Sequence, residues 1–127
     1  MMNKAMYKIL KRISQNCKHE IAGVYFDFVE DKKVDINNNY IVYSLETNKP
    51  RYEYEYSRSI YQIAVYSKDL TTALEIQKDI GKSFSSLKEK IDNIEICGCD
   101  IDSETHTKNE ADGFYQAISI INILYKY

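Results

Sequence analysis

The apolar pattern changes period once, in the middle of the chain. In YEYEYSRSIYQIAVYSKD it repeats every two residues. Tyr52, Tyr54 and Tyr56 share one side and Glu53 and Glu55 the other; further on, Tyr61, Ile63 and Val65 share a face opposite Gln62 and Ala64. Alternation among aromatic and β-branched residues predicts a strand from about Tyr52 to Ser67. In the LTTALEIQKDIGKSFSSLKEKI that follows, Ala73, Ile76, Ile80, Phe84, Leu87 and Ile91 fall three or four apart, one stripe of an amphipathic helix. Asp69 is a good N-cap, which starts that helix at Leu70. A long strand feeding a long helix is the spine on which the rest must pack.

Upstream, residues 4–17 predict a helix with Met6, Ile9, Leu10, Ile13 and Cys17 on one side and Lys4, Lys8, Lys11 and Arg12 on the other. The basic side reads as a solvated helix surface, since a nucleic-acid face would want aromatic or Gly-rich companions that are not beside it. A first strand is expected over 21–29, where Val24, Phe26 and Phe28 alternate with Tyr25 and Asp27. The Asn-rich stretch from Glu30 to Asn39 reads as a mobile loop. Tyr40 to Glu46 predicts a second strand, with Ile41, Tyr43 and Leu45 on one side, and Thr47 to Pro50 a turn. The second and third strands then form a hairpin. At about 3.3 Å per residue its long strand spans roughly 50 Å, which sends its Tyr/Glu end beyond the sheet.

Downstream, IEICGCDID reads as a strand, SETHTKNEADG as a polar connection and Phe114 to Tyr125 as the last strand. Phe114, Ile118, Ile120 and Leu124 lie on one face of that strand; Tyr115, Ala117, Ile121, Ile123 and Tyr125 lie on the other. Because both faces are mostly apolar, something should cover both. Two helices account for one; sheet curvature, a second sheet or a neighbouring subunit must account for the other. The expectation is a single α+β domain over residues 1–127, in the order α-β-β-β-α-β-β. A curved mixed or antiparallel β-sheet of about five strands carries two packing helices.

Composition narrows the function. A chain of 127 residues with 44% hydrophobic and 28% charged residues can bury a core without staples. A formal net charge of −2 gives no whole-molecule attraction to nucleic acid or anionic membrane. The 12 tyrosines, with no tryptophan, suit half-buried surfaces and interfaces, or simply a β-rich fold. The N-terminus has lysines but no continuous apolar core, and no run reaches transmembrane length, so neither a secretory signal nor a membrane span is expected. The odd set Cys17, Cys97 and Cys99 fits a reducing cytoplasm.

No residue set assembles a catalytic site. Cys97 and Cys99 would share a strand face, but with only His106 and Cys17 as further ligands they fall short of a zinc pattern and read as small strand residues. His19 ends a helix and His106 sits in the polar connection, without a positioned base beside a nucleophile. Asp100, Asp102 and Glu104 lack the spacing of a calcium loop. No phosphate-binding glycine loop, nucleophile elbow or zinc helix motif is present. The chain is therefore expected not to be an enzyme and to need neither metal nor cofactor.

The sequence of elements resembles a known family. The helix MYKILKRISQNC, the YIVYSLET hairpin running into SRSIYQIAVYSKD, the helix LTTALEIQKDIGKSFSSL and the closing ADGFYQAISIINILYKY together resemble the tail terminator, or tail completion, proteins of tailed bacteriophages and phage-like elements, a group that includes minor capsid and head–tail joining proteins. The resemblance implies a structural virion protein, assembled in the bacterial cytoplasm or from a prophage. It would form a ring, usually hexameric, on the end of the tail tube, stop tube polymerisation and present a surface to the head connector. The implied partners are further copies of the chain, the tail tube protein and the head connector protein; DNA would only pass through. The alternative is a ligand- or peptide-binding module using the Tyr-rich sheet face. The residues expected at the interface are Tyr52, Glu53, Tyr54, Glu55 and Tyr56 of the hairpin and Asp31, Lys32, Lys33, Asn37 and Asn38 of the loop, because exposed aromatics on a projecting arm favour cover by a neighbour.

Overall fold

The computed structural model describes residues 2–27, 38–51, 56–109 and 113–126. Its elements in chain order are α1 (Met2–Asn16), β1 (Ile21–Phe26), β2 (Asn39–Arg51), β3 (Tyr56–Ser67), α2 (Leu70–Ser85), β4 (Lys90–Ile91), β5 (Ile94–Lys108) and β6 (Tyr115–Lys126). The fold is α+β, as the pattern predicts, with one more short strand than expected. A 6-stranded mixed sheet in the order β1-β2-β3-β6-β5-β4 curls into a half-barrel.

Both helices bury the stripes that their sequences present. In α1 these are Met2, Ala5, Met6, Ile9, Leu10 and Ile13; in α2 they are Ala73, Ile76, Ile80 and Phe84, with Gln77 and Gly81 beside them. Asp69 caps α2, its carboxylate accepting from the Thr72 amide at 3.1 Å. The helix stops at Ser85, short of the predicted Ile91. Ser83 Oγ donates to the Asp79 carbonyl at 3.0 Å, and Ser85 and Ser86 donate to the Lys82 carbonyl at 3.0 and 3.3 Å. Such back-bonding competes with the helical ladder and unravels its end. Leu87 still reaches the core from the following loop, and Ile91 belongs to β4.

The sheet's centre is the spine read from the sequence: β3 lies between β2 and β6, antiparallel to both. Ile41, Tyr43, Tyr61, Ile63, Val65, Ile121 and Ile123 join the helix stripes in one core. β1 runs parallel to β2, with Ile21 level with Asn39 and Phe26 level with Tyr43.

Three boundaries differ from expectation. The turn predicted at 47–50 is not a turn: β2 continues through it, pairing Thr47 with Ile60 and Pro50 with Ser57, and closes at Arg51 opposite Tyr56. β1 pairs with β2 only as far as Tyr43, so among the described residues Pro50 lies beyond the stretch of β2 that is paired on both sides. β3 accordingly begins at Tyr56, and its Ser57 lies level with Tyr125 of β6. The Tyr/Glu end of the hairpin that is expected to project, Tyr52 to Glu55, lies outside the described residues. Finally, the predicted polar connection is mostly strand: β5 runs on to Lys108, its Thr105 opposite Ile118 and its Thr107 opposite Gln116. Just past β5, Asn109 N–H donates to the Phe114 carbonyl at 2.8 Å, and Gly113 stands at φ 76°, where a side chain would strain.

Candidate assembly surfaces

The expected interface residues fall into two sets. Tyr52, Glu53, Tyr54, Glu55, Asp31, Lys32, Lys33 and Asn37 lie outside the described residues. Tyr56 and Asn38 are described and half-buried. Tyr56 starts β3 opposite Arg51, with the Lys126 ammonium 5.8 Å from its ring centroid. Asn38 immediately precedes β2. The two residues thus mark opposite ends of β2, roughly 40 Å apart at strand rise.

Tyrosines take up more of the core than an interface reading of their abundance implies. Tyr40, Tyr43, Tyr61 and Tyr125 are buried, and the hydroxyls of the last three find partners inside the fold. Tyr61 OH donates to Asn3 Oδ1, Tyr43 OH donates to the Asn3 carbonyl at 3.4 Å, and Tyr125 OH lies 2.9 Å from Ser59 Oγ. Burial, with Tyr7 and Asp27 nearby, raises the Tyr43 phenol above its ordinary pKa.

The second sheet face is different. Val42, Ser44, Ile60, Gln62, Ile118, Ile120, Asn122 and Leu124 point away from the helices and are all half-buried. Curvature and a small aromatic group close one end: Tyr40 lies between Tyr25, at 6.1 Å, and Phe114, at 6.5 Å, and Lys68 sits 4.9 Å from the Phe114 ring centroid. Among the described residues no helix or second sheet covers the middle of this face, which carries mostly neutral side chains.

The sequence reading missed two exposed aromatics. Tyr7 and Phe26 are each 41% exposed, and Phe26 meets Tyr43 edge-on at 5.2 Å. Tyr7 could have been found as an aromatic on the polar side of α1. Phe26 alternates like a core residue and gave no signal.

The groups considered for chemistry are dispersed. A register shift between Ile96 and Gly98 takes Cys97 out of the ladder, so the two strand cysteines do not share a face as predicted. Cys97 Sγ contacts the Glu95 carbonyl at 3.7 Å, while Cys99 packs against the core and burial pushes its thiol up to about 12. Cys17 Sγ lies 3.3 Å from Asp79 Oδ2; burial, opposed in part by backbone hydrogen bonds, raises its pKa too. His19 Nε2 lies 2.6 Å from Glu75 Oε2, and His106 stands on β5 rather than in a loop. Among the described residues no group of three His, Cys, Asp or Glu side chains could hold a metal. A groove of about 570 Å³ runs between α1 and α2 over Ile9, Ile13 and Leu87, and a hollow of about 310 Å³ opens beside Gly98, lined by Arg58, Lys88 and Asn122. Neither is lined by tyrosine.

The sheet order, its curl and the placing of the helices can be compared with known folds. A virion chain shares this fold. The match is to a chain of the virion of a native gene transfer agent particle, with a TM-score of 0.59 and 10% sequence identity, covering 81% of this chain and 78% of that one. The sequence matches no family model and no curated protein.

Proposed function

We propose that the chain is a structural protein of a phage-like particle and that it terminates the tail, assembling as a hexameric ring on the end of the tail tube and offering the joining surface for the head. The observation that carries this reading is the shared fold with a gene transfer agent virion chain, which extends over most of both chains. Two features support it. The middle of one sheet face is largely neutral and without a covering layer among the described residues, as suits a subunit that meets neighbours. The chemistry-bearing groups are scattered, as suits a protein whose work is assembly. The contacts with neighbouring subunits or the tube end are made by Tyr52, Glu53, Tyr54, Glu55 and Tyr56 and by Asp31, Lys32, Lys33, Asn37 and Asn38.

Tail length in electron micrographs tests the proposal. In particles assembled with Tyr54→Arg, tails should be abnormally long or headless while the isolated variant melts like the parent. Tails of uniform length carrying heads would refute the hairpin contact. Normal headed tails from a strain lacking the chain would refute the function itself.

A further inference from the structure

β5 leaves a long edge. β4 pairs only with Ile94 and Glu95, and the Ile96 amide bonds the Glu89 carbonyl; from Cys97 to Lys108 no strand lies on the side away from β6 among the described residues. Its first half is irregular, with register shifts between Ile96 and Gly98 and between Ile101 and Ser103. From Ser103 to Lys108 the ladder is regular and every residue is exposed. An open edge of this kind is a template for another strand, and charges usually guard it. Here the charges have a pattern. Glu104, His106 and Lys108 lie opposite Ser119, Ala117 and Tyr115 and share one face, while Ser103, Thr105 and Thr107 share the other.

We infer that this edge is a self-complementary docking strand that pairs antiparallel with the same strand of a second copy, about a two-fold axis at His106. In that register Glu104 stands opposite Lys108 of the partner subunit, and the partner subunit's Glu104 stands opposite Lys108. On the other face Thr105 meets Thr107 of the partner subunit, a favourable cross-strand pair. Neighbouring registers lose this match. An axis at Glu104 or at Lys108 sets like charges against each other, and one at Thr107 sets His106 against Lys108. An axis at Thr105 leaves Lys108 facing Asp102, which the register shift removes from the ladder. The same charges thus reject mismatched strands and accept their own copy. A two-fold contact is closed, so it covers the edge without propagating. The interface is small and the dimer is a weak, concentration-dependent one. It is separate from the ring contacts proposed above and is read on isolated protein without tube, so either proposal can fail alone.

Sedimentation equilibrium over a rising concentration series tests the pairing. The parent chain should move from 14.9 kDa towards twice that mass. Lys108→Glu and Glu104→Lys should each stay monomeric with unchanged circular dichroism, and the double swap should dimerise again. A second readout does not depend on those charges. A cysteine placed at position 106 faces its own copy across the axis, so His106→Cys should yield disulfide-linked dimer under mild oxidation well above the parent's background, and Ser103→Cys should not. A parent that stays monomeric throughout, an association indifferent to Lys108→Glu, or a double swap that fails to restore it would each overturn the inference.

Discussion

The two faces of the central sheet differ by what lies on them. On the helix side, Ile41, Tyr61, Ile63, Ile121 and Ile123 are fully enclosed with Ile76, Ile80 and Phe84 in one continuous core. On the other, Ile60, Ile118, Ile120 and Leu124 are chemically similar yet remain half-buried, interleaved with Gln62 and Asn122. Burial, rather than residue type, decides how much each contributes, because the free energy follows apolar area removed from water together with the contacts that close packing adds. One face therefore holds the fold, and the other contributes less to it for the same side chains.

The sharpest way to break this contrast is to truncate one side chain on each face. Phe84→Ala should cost about 3–5 kcal/mol, as loss of a fully buried aromatic plus its cavity. Ile120→Ala should cost about 1 kcal/mol, since much of its side chain is already wet. Denaturant melts of the two variants check this, and equal losses would mean that the second face is as much core as the first.

Next in size is a polar group on the helix side. Gln77 is buried in α2, and its Nε2 donates to the Thr105 carbonyl at 3.2 Å and the Ile118 carbonyl at 3.1 Å, tying the helix to β5 and β6. Gln77→Leu keeps the bulk but strands those carbonyls, and should destabilise by about 1–3 kcal/mol. Amide exchange should speed up around Thr105 and Ile118 before it does at Ile63. A melt unchanged in Gln77→Leu would show that water or a relaxed backbone takes over both bonds.

These contrasts also explain which parts of the molecule the sequence announces. α2 is legible because Asp69 caps it and Ala73, Ile76, Ile80 and Phe84 form a single stripe; β3 is legible because Tyr61, Ile63 and Val65 alternate with less buried positions. The second half of β5 is not, since an edge strand exposed on both faces has no burial to pattern it, and SETHTK resembles a loop until β6 pairs with it. Asn48 to Pro50 carry real turn chemistry that the ladder with β3 overrides. The irregular register near Cys97 and the buried amide of Gln77 follow from tertiary fit alone. Of the candidate interface, the sequence order already put the Asn-rich loop before β2 and the Tyr/Glu hairpin after it, and Asn38 and Tyr56 do stand at opposite ends of β2. It also passed over the exposed pair Tyr7 and Phe26.

The smallest expected effect lies at the rim of the helix face, where α1 is fastened by ions rather than by packing. Lys8 Nζ donates to both carboxylate oxygens of Asp92 at 2.9 and 2.8 Å, and the Arg12 guanidinium forks onto Glu89, one arm at 3.1 Å. Asp92 sits in the β4–β5 turn at φ 54° and Glu89 just before β4, so the two pairs anchor the helix to both ends of that short strand. The hydrogen bond from Lys8 holds the Asp92 carboxyl below its ordinary pKa, and that from Arg12 does the same for Glu89. A carboxyl whose folded pKa is depressed stabilises the fold above its unfolded pKa, near 4, and loses that contribution as the pH falls through the lower folded value. Arg12→Met should therefore lower the urea midpoint slightly at pH 7, and the gap to the parent should close towards pH 3 as Glu89 takes up its proton. The gap should also shrink in high salt, because both partners remain partly exposed to solvent. A gap that stays constant from pH 7 to pH 3 would mean that Arg12 acts through the packing of its stem over the groove beside Ile9 and Ile13, and not through its charge.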